Sequence, residues 1–355
     1  MTRMDSGSTI SVILPVRNEA QSLPALLESL AGQAYPHDAF EVIVADGRST
    51  DATRDVVRGF AATSSVAITL VDNPHIRSSA GRNAGLNVAR GDYILFIDGH
   101  CHIPSTHLLR DTAALFAQSQ ADCLCRPQPL LAPVKSASGA AVAAVRASAL
   151  GHGRDSFIYD LAATGFVDPA SSGAAYRRDV FQAIGGYDER FDACEDVEFN
   201  IRVRKSGMNA YTDPRLAVYY EPRESFGSLF KQMLRYGRGR VRLMLKHRDC
   251  ISAGQLVPAL LAAWIIASIV SCVVPAPAWL RIALTVPVLA YAAVIAGASL
   301  HLAWKHGSGF FFRAVPIYIA IHLGLGCGLW LEALSGIRNR LTSRSSLKRA
   351  GVTEC

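Results

Sequence analysis

Three long apolar stretches, Leu256–Val274, Leu280–Leu300 and Val315–Leu334, occupy most of the C-terminal part of this 355-residue chain. Each approaches the ~20 helical residues that cross a hydrocarbon core, so the chain cannot fold as a single water-soluble body. Trp264, Trp279, Trp304 and Trp330 lie near several of the ends, as interfacial aromatics do. Only 18% of residues are charged and mean hydropathy is +0.21, but the apolarity is uneven. Residues 1–250 read as globular and 255–335 as membrane. Much of the +7 net charge lies in Lys231–Arg248 and Arg338–Arg349, which flank the apolar stretches. Membrane lipids are therefore the expected partner, and nucleic acid is not. Topology stays open. With a cytoplasmic N-terminal region, three crossings would carry Arg338–Arg349 outside, against the positive-inside rule. Arg281, Pro287 and Pro316 mark the second and third stretches as the ones to lie in the interface or re-enter. The first apolar run, Ile10–Val16, is too short for a secretory signal and contains Pro15.

Before the apolar stretches, short apolar runs alternate with amphipathic helices. Strands are predicted at Ile10–Val16, Val42–Ala45, Ile68–Val71 and Tyr93–Ile97, and helices at Glu19–Ala31, Thr50–Phe60 and Ser79–Ala89. That alternation implies an α/β fold with a mostly parallel, Rossmann-like sheet covered on both faces. Ligands bind such sheets outside the carboxyl ends of the strands. Three polar groups fall at those ends: Arg17-Asn18-Glu19, Asp46–Asp51 and Asp98-Gly99-His100. Residues 126–170 read as a loop with a loosely amphipathic helix, Ser136–Leu150. Further helices are predicted at Tyr176–Ile184 and Asp196–Lys205, the latter closed by Gly207. The eight cysteines show no paired ligand spacing. Cys123 and Cys125 share one face of a strand and read as buried, reduced thiols.

The polar groups suggest a chemistry. Pro15 stops a strand ladder, and Arg17 and Glu19 beside it can reach a base or ribose; Asn18 can equally cap the next helix. Asp46 can accept a hydrogen bond from a uracil N–H, while Ser49–Asp51 suit a helix cap. Arg82, near the start of a helix, can add a charge beside phosphate or simply sit on the surface. Asp98 follows an all-apolar strand, where a carboxylate is costly without a partner. A divalent cation bridging to a diphosphate would supply one, with His100 as second ligand; imidazole admits Mn²⁺ beside Mg²⁺. Gly99 between them allows close approach, and His102 is read as incidental. Glu195, Asp196 and Glu198 open a helix, where the dipole favours acids. Crowded together they repel, which raises one pKa toward that of a general base. Gln232, Arg235 and Tyr236 share one side of a basic helix that suits an interface, a diphosphate and a stacked sugar.

Taken in order, Ala45–Asp51, Asp98-Gly99-His100, Gly173–Arg178 and Arg235–Arg240 resemble the family 2 glycosyltransferases of GT-A fold, in the succinoglycan-biosynthesis, ExoA-like membrane branch. The resemblance covers roughly residues 10–245. It implies uridine contacts from Pro15, Glu19 and Asp46, a metal and diphosphate role for Asp98, and Asp196 as catalytic base. Gln232, Arg235 and Tyr236 match the family's Gln-x-x-Arg-Trp motif with Tyr for Trp, a departure that argues against processive synthesis. His100 stands where many members carry Asp. The expected domains are a GT-A domain over 1–225, a basic interfacial segment over 226–250, transmembrane helices over 251–337 and a basic tail over 338–355. The expected activity is inverting and metal-dependent, from a UDP-sugar to a lipid-linked or polysaccharide hydroxyl. The expected place is the cytoplasmic face of the inner membrane, in exopolysaccharide or envelope glycan synthesis. In that chemistry Glu195 would support Asp196 in catalysis and Arg235 would hold the developing charge on the UDP leaving group, while Arg82, Gln232 and Tyr236 would bind the donor. Two rivals remain: a polyprenyl-phosphate sugar synthase, and a nucleotide-sugar-binding scaffold without catalysis.

Overall fold

The structure, a computed structural model, describes residues 7–130, 136–152, 157–170, 173–222 and 225–349. The chain divides into two compact units, Met1–Pro133 with His152–Pro222, and Val134–Gly151 with Arg223–Cys355.

The first unit is built on a sheet. In chain order its elements are β1 (Ile10–Val16), α1 (Leu23–Ala31), β2 (Phe40–Asp46), α2 (Thr53–Thr63), β3 (Ala67–Asp72), α3 (Ser78–Val88), β4 (Tyr93–Phe96), β5 (Cys101–His102), α4 (Leu108–Ser119) and β6 (Cys123–Cys125). The chain then passes through two helices of the other unit, α5 (Ala137–Arg146) and α6 (Ala149–His152), and returns as β7 (Gly165–Val167) and β8 (Gly173–Arg177). There follow α7 (Arg178–Ile184), α8 (Glu195–Lys205), β9 (Ala210–Thr212) and β10 (Tyr219–Tyr220). The sheet runs β3-β2-β1-β4-β8-β6-β9-β7, while β5 and β10 form a separate ribbon. β1 to β4 are parallel, and β8 lies antiparallel between β4 and β6. β6 therefore points the same way as β4.

Side chains of β1 alternate between two buried clusters, one on each face of the sheet. Ile10, Val12, Leu14 and Val16 enter one, and Ile13 the other. Burying each such side chain is worth about 1.5–3 kcal/mol. Cys123 and Cys125 share a face as expected, with Leu124 on the opposite one. Pro15 sits where pairing with β4 has run out: the last bond to that neighbour is Ile97 N–H to Ile13 O, 3.1 Å. The missing N–H thus costs no ladder bond.

Two local expectations give way to tertiary structure. The predicted helix Tyr176–Ile184 begins only at Arg178, because Gly173–Arg177 forms the strand that joins β4 to β6. The fully buried Tyr176 ring packs there among Phe96, Phe181 and Phe199. The predicted helix from Glu19 begins at Leu23, with Pro24 in its first turn. The Glu19 carboxylate is engaged elsewhere, as described below.

The second unit is helical. Besides α5 and α6 it comprises α9 (Phe226–Lys246), α10 (Ala253–Val273), α11 (Ala278–His306) and α12 (Gly309–Arg349). Among the described residues three helices are long and apolar enough to span a membrane: α10, α11 and the Gly309–Gly336 part of α12. The segment Val134–Gly151 groups with them although it lies between two strands of the sheet. Ala141, Val142 and Val145 of α5 share a buried cluster with Leu229, Met233, Ile317, Tyr318 and Ile321.

Candidate active site

The loops after β1 and β2 are stitched together at the carboxyl edge of the sheet. Thr50 N–H donates to Asn18 Oδ1 (2.8 Å), and Asn18 N–H donates to Ser49 Oγ (2.9 Å). Glu19 N–H donates to Thr53 Oγ1 (2.8 Å) and Ala20 N–H to Asp51 Oδ2 (3.2 Å). Asn18 and Ser49 therefore cap no helix of their own; each serves the neighbouring loop. Hydrogen bonding to the Thr53 hydroxyl holds the Asp51 pKa below its ordinary value. Asp46 is 1% exposed and lies behind these loops. Its Oδ2 accepts from Arg54 Nη1 at 2.9 Å, and both oxygens lie 3.3 Å from Ser49 N. A nucleobase reaches that carboxylate only if the Ser49 loop shifts. Arg17 is exposed beside it.

One arginine joins the two acidic motifs. Arg82, on α3, places Nη2 3.1 Å from Asp98 Oδ1 and Nε 3.8 Å from Glu195 Oε1. Its guanidinium lies over the rings of Phe96 (5.3 Å) and Tyr187 (5.4 Å). Burial works against the Arg82 charge, but Asp98, with Glu195 and Asp196 behind it, outweighs burial and raises the pKa. Arg82 is thus a buried, permanently charged link and no surface arginine. Asp98 keeps a third of its side chain exposed. Among the described residues no hydrogen bond occupies its Oδ2.

The three acids at the start of α8 meet three different fates. Glu198 is fully buried and bidentate to Arg202, at 3.0 and 3.2 Å from Nε. Arg202 also donates to the carbonyls of Ile184 and Gly186, so this pair is structural. Glu195 is buried against Arg82; burial first, then the Asp196 charge, raises its pKa, with Arg82 opposing. Asp196 is the exposed one, with Oδ1 accepting from Val197 N–H at 2.8 Å. Of the three, only Asp196 stands open to an incoming acceptor.

His100 and Glu19, expected respectively at a metal and at uridine, contact each other. His100 Nδ1 lies 2.8 Å from Glu19 Oε1, and Glu19 Oε2 accepts from Ser22 Oγ at 2.6 Å. The imidazole also meets Tyr220 edge-on at 4.8 Å. Gly99 serves the protein's own packing, since a methyl group there would press on Val16 and Glu19. No cluster of three or more His, Cys, Asp or Glu suited to a metal occurs among the described residues. Asp98 and His100 nonetheless offer oxygen and imidazole donors of the right chemistry for Mg²⁺ or Mn²⁺. Mg²⁺ commonly takes only one or two carboxylates and completes its shell with substrate phosphate and water. A carboxylate on the far nitrogen is also the usual device for orienting a metal-ligating histidine. The residues fit an ion shared with a diphosphate, and do not fit a closed protein site.

One neighbour of the site went unread in the sequence. Arg126 is buried one residue beyond β6, and its Nη1 donates to Phe96 O at 2.9 Å. Burial lowers its pKa, and Asp98 is among the charges that oppose this. Because β6 points the same way as β4, Arg126 lies at the carboxyl end of a strand, the position that flagged Asp98. Tyr187, beside Arg82, comes from the Gly185–Asp188 turn, which the sequence offers as a shaper of an acceptor pocket. Burial pushes the adjacent Cys101 thiol up to about 12, which keeps it inert. Gln232, Arg235 and Tyr236 lie in the helical unit on α9, one turn apart, with Gln232 Nε2 donating to Tyr236 Oη at 3.4 Å. Gln232 is buried there and Arg235 exposed.

Known proteins resemble this chain in sequence and fold. The model of the family "Glycosyl transferase family 2" matches residues 11–185. The succinoglycan biosynthesis protein ExoA of Rhizobium meliloti (strain 1021) is 30% identical over 325 residues, which cover 91% of this chain and 94% of that protein. The chain belongs to glycosyltransferase family 2. A second relative of this glycosyltransferase comes from Methanococcus voltae: dolichyl N-acetyl-alpha-D-glucosaminyl phosphate 3-beta-D-2,3-diacetamido-2,3-dideoxy-beta-D-glucuronosyltransferase. It is 26% identical, with 67% of this chain and 74% of that protein covered. Among solved structures, the mannosyltransferase PcManGT from Pyrobaculum calidifontis, in complex with GDP-Man and Mn²⁺, superposes with a TM-score of 0.59 at 19% identity. The superposition covers 88% of this chain and 87% of that one. The fold is the GT-A arrangement followed by apolar helices, as expected.

Proposed function

We propose that this glycosyltransferase moves a sugar, with inversion, from a UDP-sugar to a hydroxyl of a lipid-linked or polysaccharide acceptor. The place is the cytoplasmic face of the inner membrane, and the product an exopolysaccharide or envelope glycan. The observation that carries the reading is the Arg82 link, which gathers Asp98, Glu195 and Asp196 at one edge of the sheet. Kinship with ExoA supports the polysaccharide setting, and the archaeal relative supports a lipid-linked acceptor.

In this reading Asp196 takes the proton of the acceptor hydroxyl. The acceptor oxygen bonds to the anomeric carbon as the bond from that carbon to the diphosphate oxygen breaks, and the electron pair leaves with UDP. Glu195 and Arg82 set the charge and position of Asp196 from behind. Asp98 and His100 would hold Mg²⁺ or Mn²⁺, which when bound neutralises the charge of the departing diphosphate. Pro15, Arg17 and Glu19 border the nucleoside side, and Asp46 fixes the loop that closes it. A donor-side role for Gln232, Arg235 and Tyr236 rests on the sequence motif.

Calorimetry of UDP binding with and without Mn²⁺ tests the donor half. UDP affinity should require the ion and be lost in Asp98→Ala; affinity unchanged in EDTA would sink the metal assignment. Transfer to a polyprenyl phosphate that survives Asp196→Asn would favour the lipid-phosphate synthase instead, because a phosphate acceptor needs no general base.

A further inference from the structure

The third apolar helix is packed unlike the other two. Half of its span is buried inside the protein, against 17% for α10 and 11% for α11. Helices α5, α10 and α11 each cover part of it, but its most extensive partner is the basic helix α9, which runs beside it in the same direction. A methyl group at Gly328 would meet Leu234 O, and one at Gly237 would meet Leu325 O, so the two backbones touch where they pass. One turn further on, Glu332 receives Arg238 Nε at 2.8 Å and Arg242 Nε at 2.7 Å. The contacts advance together, Leu234 with Gly328, then Arg238 and Arg242 with Glu332. The two helices therefore share one depth.

That shared depth decides where α12 lies. α9 carries Lys231, Arg235, Arg238, Arg240, Arg242 and Lys246, and no acid. A cation at the centre of a membrane helix costs about 2.5–3.5 kcal/mol, so α9 cannot cross. A helix locked against it from Gly324 to Glu332 cannot cross there either. A second contact agrees. Tyr318 Oη lies 2.9 Å from Ser148 Oγ, and His322 Nε2 lies 2.9 Å from Leu150 O. Ser148 and Leu150 belong to the segment that lies between β6 and β7 in chain order. A segment entered from one sheet and returning to the same sheet does not cross a bilayer, so Tyr318 and His322, held to it, do not lie within a crossing. α12 meets α10 near its first turns, with Trp330 Nε1 donating to Ala259 O at 2.9 Å, six residues or about 9 Å from the start of α10.

By contrast α10 and α11 form an antiparallel pair, with Trp264 Nε1 donating to Leu284 O at 2.9 Å. Ile269, Val273, Ile282, Val286 and Leu289 are exposed along it. Trp279 and Trp304, both exposed, bracket α11 about 37 Å apart at 1.5 Å per residue, enough to reach both interfaces of a bilayer.

We infer that α12 does not cross the membrane. It lies with α9 in the headgroup layer, only the α10–α11 hairpin crosses, and the segment Arg338–Arg349 stays on the same side as α9. Two crossings place that basic segment on the same side as the basic helix α9, as the positive-inside rule asks. The surface formed by α9 and α12 then has anionic lipid headgroups as its partner.

The test uses the full chain in a bacterial host, with green fluorescent protein or alkaline phosphatase fused after Cys355. The same reporters inserted after Ala276, in the hairpin turn, serve as control. The Cys355 fusion should fluoresce and lack phosphatase activity, and the Ala276 insertion should do the reverse. Phosphatase activity after Cys355 would overturn the inference. A fluorescent amino acid at Leu331 should be quenched better by lipids labelled near the headgroup than by lipids labelled near the chain ends, and one at Leu289 the reverse. Deep quenching at Leu331, even with a fluorescent Cys355 fusion, would mean a re-entrant helix and overturn the surface placement.

Discussion

In the sheet unit one arginine serves two acids, whereas in the helical unit one acid serves two arginines. Arg82 lies between Asp98 and Glu195, and Arg54 between Asp46 and Asp72. Glu332 lies between Arg238 and Arg242. Sharing a cation between two carboxylates leaves the first arrangement short of positive charge, the more so with Asp196 beside it. Even Arg126 does not make up the deficit. Such a site attracts a divalent ion or a proton. Sharing one carboxylate between two guanidinium groups leaves the second arrangement positive, suited to phosphate of lipid or nucleotide. The same two residue types thus build opposite fields, and the ratio decides which.

The largest effect expected from breaking this contrast is on turnover. Asp196→Asn should lower kcat by about 10²–10⁴-fold, the usual contribution of a general base, with little change in UDP-sugar affinity. Steady-state release of UDP checks it, and near-normal kcat would move the base elsewhere. Next comes stability. Arg82→Met leaves the buried Glu195 and the partly exposed Asp98 without their shared cation. Breaking a fully buried pair costs about 3–5 kcal/mol, and solvent at Asp98 keeps the loss at or below the lower end of that range. Denaturant unfolding of the sheet unit, followed by tryptophan-independent circular dichroism, reads the loss. A variant as stable as the parent would mean that Asp98 and Glu195 do not depend on Arg82.

Much of this arrangement was legible in the sequence, and for a physical reason. A parallel sheet puts functional groups at the carboxyl ends of its strands, so Asp98 and the Asn18 and Ser49 loops announce themselves by position. The partners were less visible. Nothing in the chain says that Arg82 reaches both Asp98 and Glu195, since the three are joined only by the folding of α3 over β4 and α8. Arg126 obeys the strand-end rule but follows a strand of three residues, too short to stand out in an Ala- and Gly-rich region. Glu198 and Arg202 were readable as an i,i+4 pair; the crowd of acids drew attention to repulsion instead. The grouping of α5 with the membrane helices was hidden because Ala-rich helices bury as easily against one partner as another.

In the helical unit the matching change is milder. Glu332→Gln leaves Arg238 and Arg242 without their acid, but both are partly exposed, and screened pairs of that kind are worth about 1 kcal/mol or less. The detergent-solubilised variant should lose no more than a few degrees in melting temperature, with UDP binding by the sheet unit unchanged. A loss as large as that of Arg82→Met would show that the α9–α12 pair is as dependent on its charge as the active site is.

The smallest effect carries the sharpest sign. Glu195 titrates above its ordinary value of 4.5 because burial, and then the Asp196 charge, disfavour its ionised form. An acid with a higher pKa folded than unfolded binds more protons in the native state. Stability therefore falls as pH rises across the interval between the two values. Well below pH 4.5 both states are protonated and the group contributes no difference. Glu195→Gln mimics the protonated form at every pH. Its stability should match the parent near pH 4, exceed it increasingly as pH rises, and level off once Glu195 is ionised in the folded protein. Glu198→Gln should do the opposite, costing stability at neutral pH, because there the buried carboxylate is paired with Arg202. Parallel melting curves for the two variants between pH 4 and 8 distinguish a buried acid that strains the fold from one that holds it. If Glu195→Gln is the less stable protein at pH 7, then Arg82 more than compensates Glu195. The site would then hold its charges in balance, with no standing deficit for a divalent ion to fill.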